Sequence, residues 1–134
     1  MNPLRAQPKP RVLGIGIDPI FGDVSTLPPG LTPEIIRATI DAEIEDLRKL
    51  GYEAESCLVD LGESARRTVE SALRARSFDC IVIGAGIRAA PERLMLFEEI
   101  INVVHRLAPQ SRIAFSRTPA DTAEAARRWI KRDD

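Results

Sequence analysis

The stretch FDCIVIGAGIRAAPERL, residues 78–94, decides the fold. Residues 80–85 form a short, unbroken apolar run rich in β-branched side chains, as expected of a strand buried on both faces. Gly84 and Gly86 follow immediately, and Pro91 opens a helical pattern that runs to residue 109. Strand, glycine turn, helix is the repeating unit of a parallel sheet.

The same unit recurs outward in both directions. RVLGIGID (11–18), YEAESCLVDL (52–61) and RIAFS (112–116) read as the other three strands. Helical patterns fill 33–51, 63–77 and 118–132. The first of these has Thr32 as N-cap, Pro33 as first residue and Gly51 as stop, with Ile36, Ile40, Leu47 and Leu50 on one face. The last opens with Thr118, Pro119 and Asp121, a capping pattern. Strict alternation predicts an α/β fold: an open, doubly wound parallel sheet of four strands, order 2-1-3-4, with helices on both faces. That arrangement resembles the flavodoxin-like and Rossmann-like small α/β domains at the level of fold. Residues 1–10 are predicted to be a disordered tail and 11–134 a single α/β domain.

The chain has 134 residues, a net charge of −1, 29% charged and 44% hydrophobic residues. This is an ordinary globular composition. It carries no basic excess and only one Tyr and one Trp, so nucleic acid is not an expected partner. Arginine outnumbers lysine sixteen to three. No apolar run approaches the ~20 residues that cross a bilayer, and no signal peptide is visible at the N-terminus. Cys57 and Cys80 both fall in strands and read as reduced core residues of a cytoplasmic protein. A disulfide between them requires adjacent, aligned strands.

In a doubly wound sheet the ligand crevice lies at the carboxyl ends of the strands, where strand order reverses. Order 2-1-3-4 places that point between the first and third strands. It gathers Asp18 and the 19–32 loop with Gly84, Gly86 and Arg88. The glycine turn then has two readings. Backbone amides and Arg88 hold an anionic, nucleotide- or phosphate-type ligand, or the glycines only let the chain leave the sheet sharply. The pattern Gly84-x-Gly86-x-x-Ala89 also resembles the dinucleotide fingerprint of Rossmann oxidoreductases. That resemblance implies NADP as cofactor, with Ser116 and Arg117 at the end of the fourth strand and Arg117 reading the 2′-phosphate. Here the motif sits on the third strand, and its helix is expected to begin only at Pro91. Receiver-type phosphorelay is not the expected function, because Gly84 stands where a phosphoacceptor Asp belongs.

The loop after the first strand is long and holds Phe21 and Asp23, which read as a lid over the crevice, or as cover for the sheet edge. Asp18, Asp23 and Asp60 are equally at home in turns, so no metal centre is assigned. Glu43 lies among the apolar positions of its helix and is read as a rim or structurally paired carboxylate. His105, the only histidine, falls about 20 Å along its helix from the crevice. That distance excludes a nucleophile–histidine triad, and no catalytic constellation is visible.

The helix over 91–107 is apolar around about half its circumference. Met95, Leu96, Phe97 and Val103 are the expected interface of a homodimer. Two functions follow: a small-molecule-binding domain with its ligand at the crevice, or a non-catalytic interaction module that dimerises through this helix.

Overall fold

The computed structural model describes residues 8–22, 25 and 27–131. Four strands, β1 (Arg11–Ile17), β2 (Glu53–Val59), β3 (Cys80–Ile83) and β4 (Arg112–Phe115), form one parallel sheet in the order β2-β1-β3-β4. The open α/β sheet and its strand order are as the sequence predicts. The architecture is that of flavodoxin- and Rossmann-like domains. Residues 1–7 of the expected N-terminal tail, and Asp23 of the expected lid, lie outside the described residues.

Helices α1 (Pro33–Lys49), α2 (Ser64–Ala75), α3 (Ala85–Arg88) and α4 (Leu94–Leu107) lie between the strands, and α5 (Thr122–Trp129) follows the last. Helix α1 starts and stops on local chemistry. The Thr32 hydroxyl accepts the Ile35 amide at 3.2 Å, Pro33 is the first residue, and Gly51 takes φ +96°, a left-handed conformation that ends the helix.

Because strand side chains alternate, each strand feeds two cores. Leu13, Ile15, Val59, Ile81 and Ile83 face α2 and α4 and meet Val69, Leu73, Ile100 and Val104. Val12, Ala54, Cys80, Val82 and Ala114 face α1 and α5 and meet Ile44, Leu47, Ala125 and Ala126. β1 separates β2 from β3, and Cys57 and Cys80 belong to opposite faces, so they are not bridged. Burial pushes their thiols up to about 11 for Cys57 and about 12 for Cys80. Neither is a thiolate at neutral pH.

Two helix starts differ from expectation. The helix predicted from Pro91 is one of two, with a break before it. A one-turn helix, α3, begins directly after Gly84, and a 3-10 turn over Pro91–Arg93 precedes α4. The break is at Ala90, which is extended (φ −83°, ψ 126°) because the Pro91 ring disfavours helical backbone before it. Helix α5 begins at Thr122, four residues beyond Thr118. The Asp121 carboxylate bonds backwards to the amides of Arg117 (2.9 Å) and Thr118 (3.0 Å), closing a loop rather than capping the helix. The cap comes from another element: Glu43 of α1 accepts the Ala123 amide at 2.9 Å. The structural pairing expected of Glu43 is therefore with a helix terminus, where a negative charge is stabilising.

Candidate functional site

Strand β1 carries Gly14 and Gly16 on the face turned to α1. The register sets Gly14 beside Ser56 of β2 and Val82 of β3, and Gly16 beside Leu58. One step past the ends of β3 and β4, Gly84 and Ser116 continue the same face. At the amino half of this face, Leu47 packs among Val12 and Ala54 and sets the spacing between helix and sheet. At the carboxyl half the strands offer mostly glycine and serine, so α1 stands over nearly bare backbone. Ile36, Ile40 and Ile44, one turn apart on α1, form the roof. The space left between is a cavity of about 540 Å³. It opens at the carboxyl ends of β1 and β3, the point where the chain's winding reverses. Pro19, Gly22 and Leu27 of the long loop close one rim, and Ala90, Glu92 and Arg93 the other.

The two glycines of the turn have different roles. A Cβ at Gly84 would lie 3.3 Å from the Ile15 oxygen and 3.6 Å from the Gly16 Cα, a tight approach to backbone that favours glycine where β3 passes beside β1. A Cβ at Gly86 would meet nothing nearer than Ile17 Cδ1 at 4.0 Å. Protein packing does not demand the second glycine, and it faces the cavity.

Of the residues expected to bind ligand, Gly84, Gly86 and Ser116 line this cavity together. Ser116 is 2% exposed; its amide donates to Ile83 at 3.1 Å and its carbonyl accepts from Arg88 at 3.2 Å. Arg88 does not line the cavity. Its guanidinium is 5.8 Å from the centre of the Phe115 ring, whose side chain belongs to the opposite sheet face. Arg88 thus ties α3 to the end of β4. Arg117 also points elsewhere, to Asp121 at 3.3 Å and Glu124 at 3.4 Å. Asp18 shapes the loop: its carboxylate accepts the Ile20 amide at 3.1 Å and lies 3.9 Å from Arg37. Phe21 sits in the 3-10 turn Pro19–Phe21, outside the cavity lining. Asp60 accepts from the Ser64 hydroxyl and the Gly62 amide just ahead of α2, bonds that hold its carboxyl below the ordinary range. No group of three or more potential metal-ligating side chains occurs among the described residues.

The interface expected on the 91–107 segment shrinks. Val103 is a core residue, 3% exposed, because α2 covers that side of α4. Leu96 and Phe97 are half-buried against the same core, Phe97 meeting Phe115 edge to face. Met95, 76% exposed, and Leu94 beside it remain open. His105 is exposed in the last turn of α4 and does not reach the cavity.

A second cavity, about 470 Å³, lies at the amino ends of the strands, lined by Lys9, Arg11, Arg48, Glu53 and Arg76 among others. Four of its charges pair with one another: Arg11 meets Glu53 at 2.6 Å and Arg76 meets Glu55 at 3.4 Å. No helix among the described residues is long and apolar enough to cross a membrane. Compared with known proteins, the chain matches no family model and no curated protein. The fold and the cavity carry the functional reading by themselves.

Proposed function

We propose that this chain is a small-molecule-binding α/β domain whose ligand occupies the cavity between α1 and the carboxyl ends of β1 and β3. The supporting observation is the cavity itself: about 540 Å³, floored by Gly14, Gly16 and Gly84 and roofed by Ile36, Ile40 and Ile44. Sites for small ligands have this size, this concave apolar form, and this place in doubly wound sheets. An NADP reading loses support, since Arg117 is occupied by Asp121 and Glu124. The test is fluorescence titration with the neutral apolar probe 1-aminoanthracene. The folded protein is expected to bind it with one-to-one stoichiometry. Gly16→Leu, which grows a side chain from the floor, and Ile40→Trp, which lowers the roof, are each expected to abolish binding with the circular dichroism spectrum unchanged. Equal binding by the wild type and both variants would reject the reading.

A second reading, a homodimer through the start of α4, is supported by the exposure of Leu94 and Met95. It predicts a dimer mass in native mass spectrometry that Met95→Glu converts to monomer.

A further inference from the structure

Among the described residues lining the cavity, only Glu92 and Arg93 are charged, and both belong to the turn Pro91–Arg93. Arg93 is half-buried, and its Nη1 donates to the Gly86 carbonyl at 3.2 Å, which holds the guanidinium beside the glycine turn. No ion pair engages Arg93 among the described residues. The neighbouring arginines are committed: Arg88 to Ser116 and Phe115, Arg117 to Asp121 and Glu124, Arg37 to Asp41. A guanidinium has five N–H donors in a planar fork matched to a carboxylate. Arg93 uses one of them on a neutral carbonyl. Glu92 beside it offsets that charge, so among the described residues Arg93 can pair with one negative charge and no cation remains for a second. A phosphate dianion or a nucleotide polyphosphate would exceed it. The rest of the lining is hydrocarbon, backbone and hydroxyl: Ile36, Ile40, Ile44, Leu58 and Val82 around the body of the space, with Ser56 and Ser116 at its floor.

Resting on the ligand-binding reading above, we infer that the ligand is an apolar monocarboxylate. Its hydrocarbon body lies over Gly14 and Gly16 beneath the isoleucines of α1. Its carboxylate meets Arg93 beside Gly86.

The test uses three probes of one shape on the whole chain: naphthalene-2-carboxylate, the neutral naphthalene-2-methanol and 2-naphthyl phosphate. Calorimetric titration of the wild type is expected to give the carboxylate an affinity about tenfold or more above the alcohol, the usual scale for a hydrogen bond to a charged group. Arg93→Gln is expected to bring the carboxylate down to the alcohol's affinity and leave the alcohol unchanged. Glu92→Gln is expected to tighten the carboxylate and not the alcohol. The alcohol binding as tightly as the carboxylate, or Arg93→Gln leaving the carboxylate unaffected, would overturn the inference while the cavity remains a binding site. The phosphate binding more tightly than the carboxylate would overturn the monoanion assignment. If no naphthalene probe binds, the inference fails, and 1-aminoanthracene then decides whether the cavity reading fails with it.

Discussion

The two faces of the sheet are built on different rules. Towards α2 and α4 the strands present Leu13, Ile15, Val59, Ile81 and Ile83, all fully or nearly fully buried, and the helices close on them. Towards α1 and α5 the same strands present Val12, Gly14, Gly16, Ala54, Ser56, Val82, Ala114 and, past their ends, Gly84 and Ser116. The first face is packed along its whole length. The second is packed only at its amino half, where Ile44 and Leu47 reach the strands. One sheet therefore combines a stabilising core with an opening, and the opening is at the end where doubly wound sheets generally take their ligands. A face stripped of side chains gives up apolar burial, a cost the opposite face must offset.

That contrast predicts unequal responses to mutation, the largest on the packed face. Ile83→Ala is expected to destabilise by about 2–5 kcal/mol in chemical denaturation, because no neighbour can collapse into the space. The comparison would break if Ile83→Ala cost no more than a surface substitution. Gly84→Ala comes next. Its methyl must push apart the β1 and β3 backbones, and an overpacking cost of about 1–3 kcal/mol is expected. Gly86→Ala is its control. It meets nothing closer than 4.0 Å and sits in a helical turn, so its stability is expected to hold or rise by up to ~1 kcal/mol. Equal losses at both glycines would remove the distinction between a packing glycine and a cavity-facing one.

Smaller effects concern what holds α1 and α5 over the open face. Glu43→Ala removes the acceptor of the Ala123 amide and is expected to cost about 1 kcal/mol, the usual loss of a helix N-cap. Asp121 supplies a pH dependence. Burial opposes its charge, but bonds from the Thr118 and Arg117 amides and the Arg117 side chain outweigh burial and hold the carboxyl below its ordinary range. Its folded value being depressed, its contribution is present above the unfolded value of about 4 and is lost as pH falls through the folded value. Asp121→Asn is expected to lower the melting temperature at pH 7 and to leave a flatter acid limb. An unchanged acid limb would show that the loop Arg117–Asp121 does not depend on that charge.

The fold was legible because it rests on short-range signals: the apolar run at 80–85, Thr32-Pro33 before a helix, Gly51 after it, and strict alternation of the two periods. The place of the cavity followed from strand order. Its composition did not. Arg88 and Arg117 stand where a ligand arginine belongs, but each found a partner inside the protein, a tertiary choice that spacing does not encode. Arg93, the third residue of the predicted helix, had no reason to stand out until the break at Ala90 set it at the cavity rim. The open floor did leave a trace. Gly14 and Gly16 alternate with Leu13, Ile15 and Ile17, and Ser56, Gly84 and Ser116 fall in line once the register is known. A strand with glycine at every second position has one bare face, and three isoleucines at positions 36, 40 and 44 supply the cover. Val103 failed as an interface residue for a similar reason: the apolar excess of its helix is covered by α2, whose polar sequence gave little sign of it.

The measurement that bears most directly on the central claim is an amide chemical-shift titration of the ¹⁵N-labelled protein with naphthalene-2-carboxylate. The account predicts saturable shifts at Gly14, Gly16, Gly84, Gly86 and Ser116, with α4 beyond its first turn silent. Shifts confined to Leu94, Met95 and their neighbours, or no saturable shift at the glycines, would contradict it.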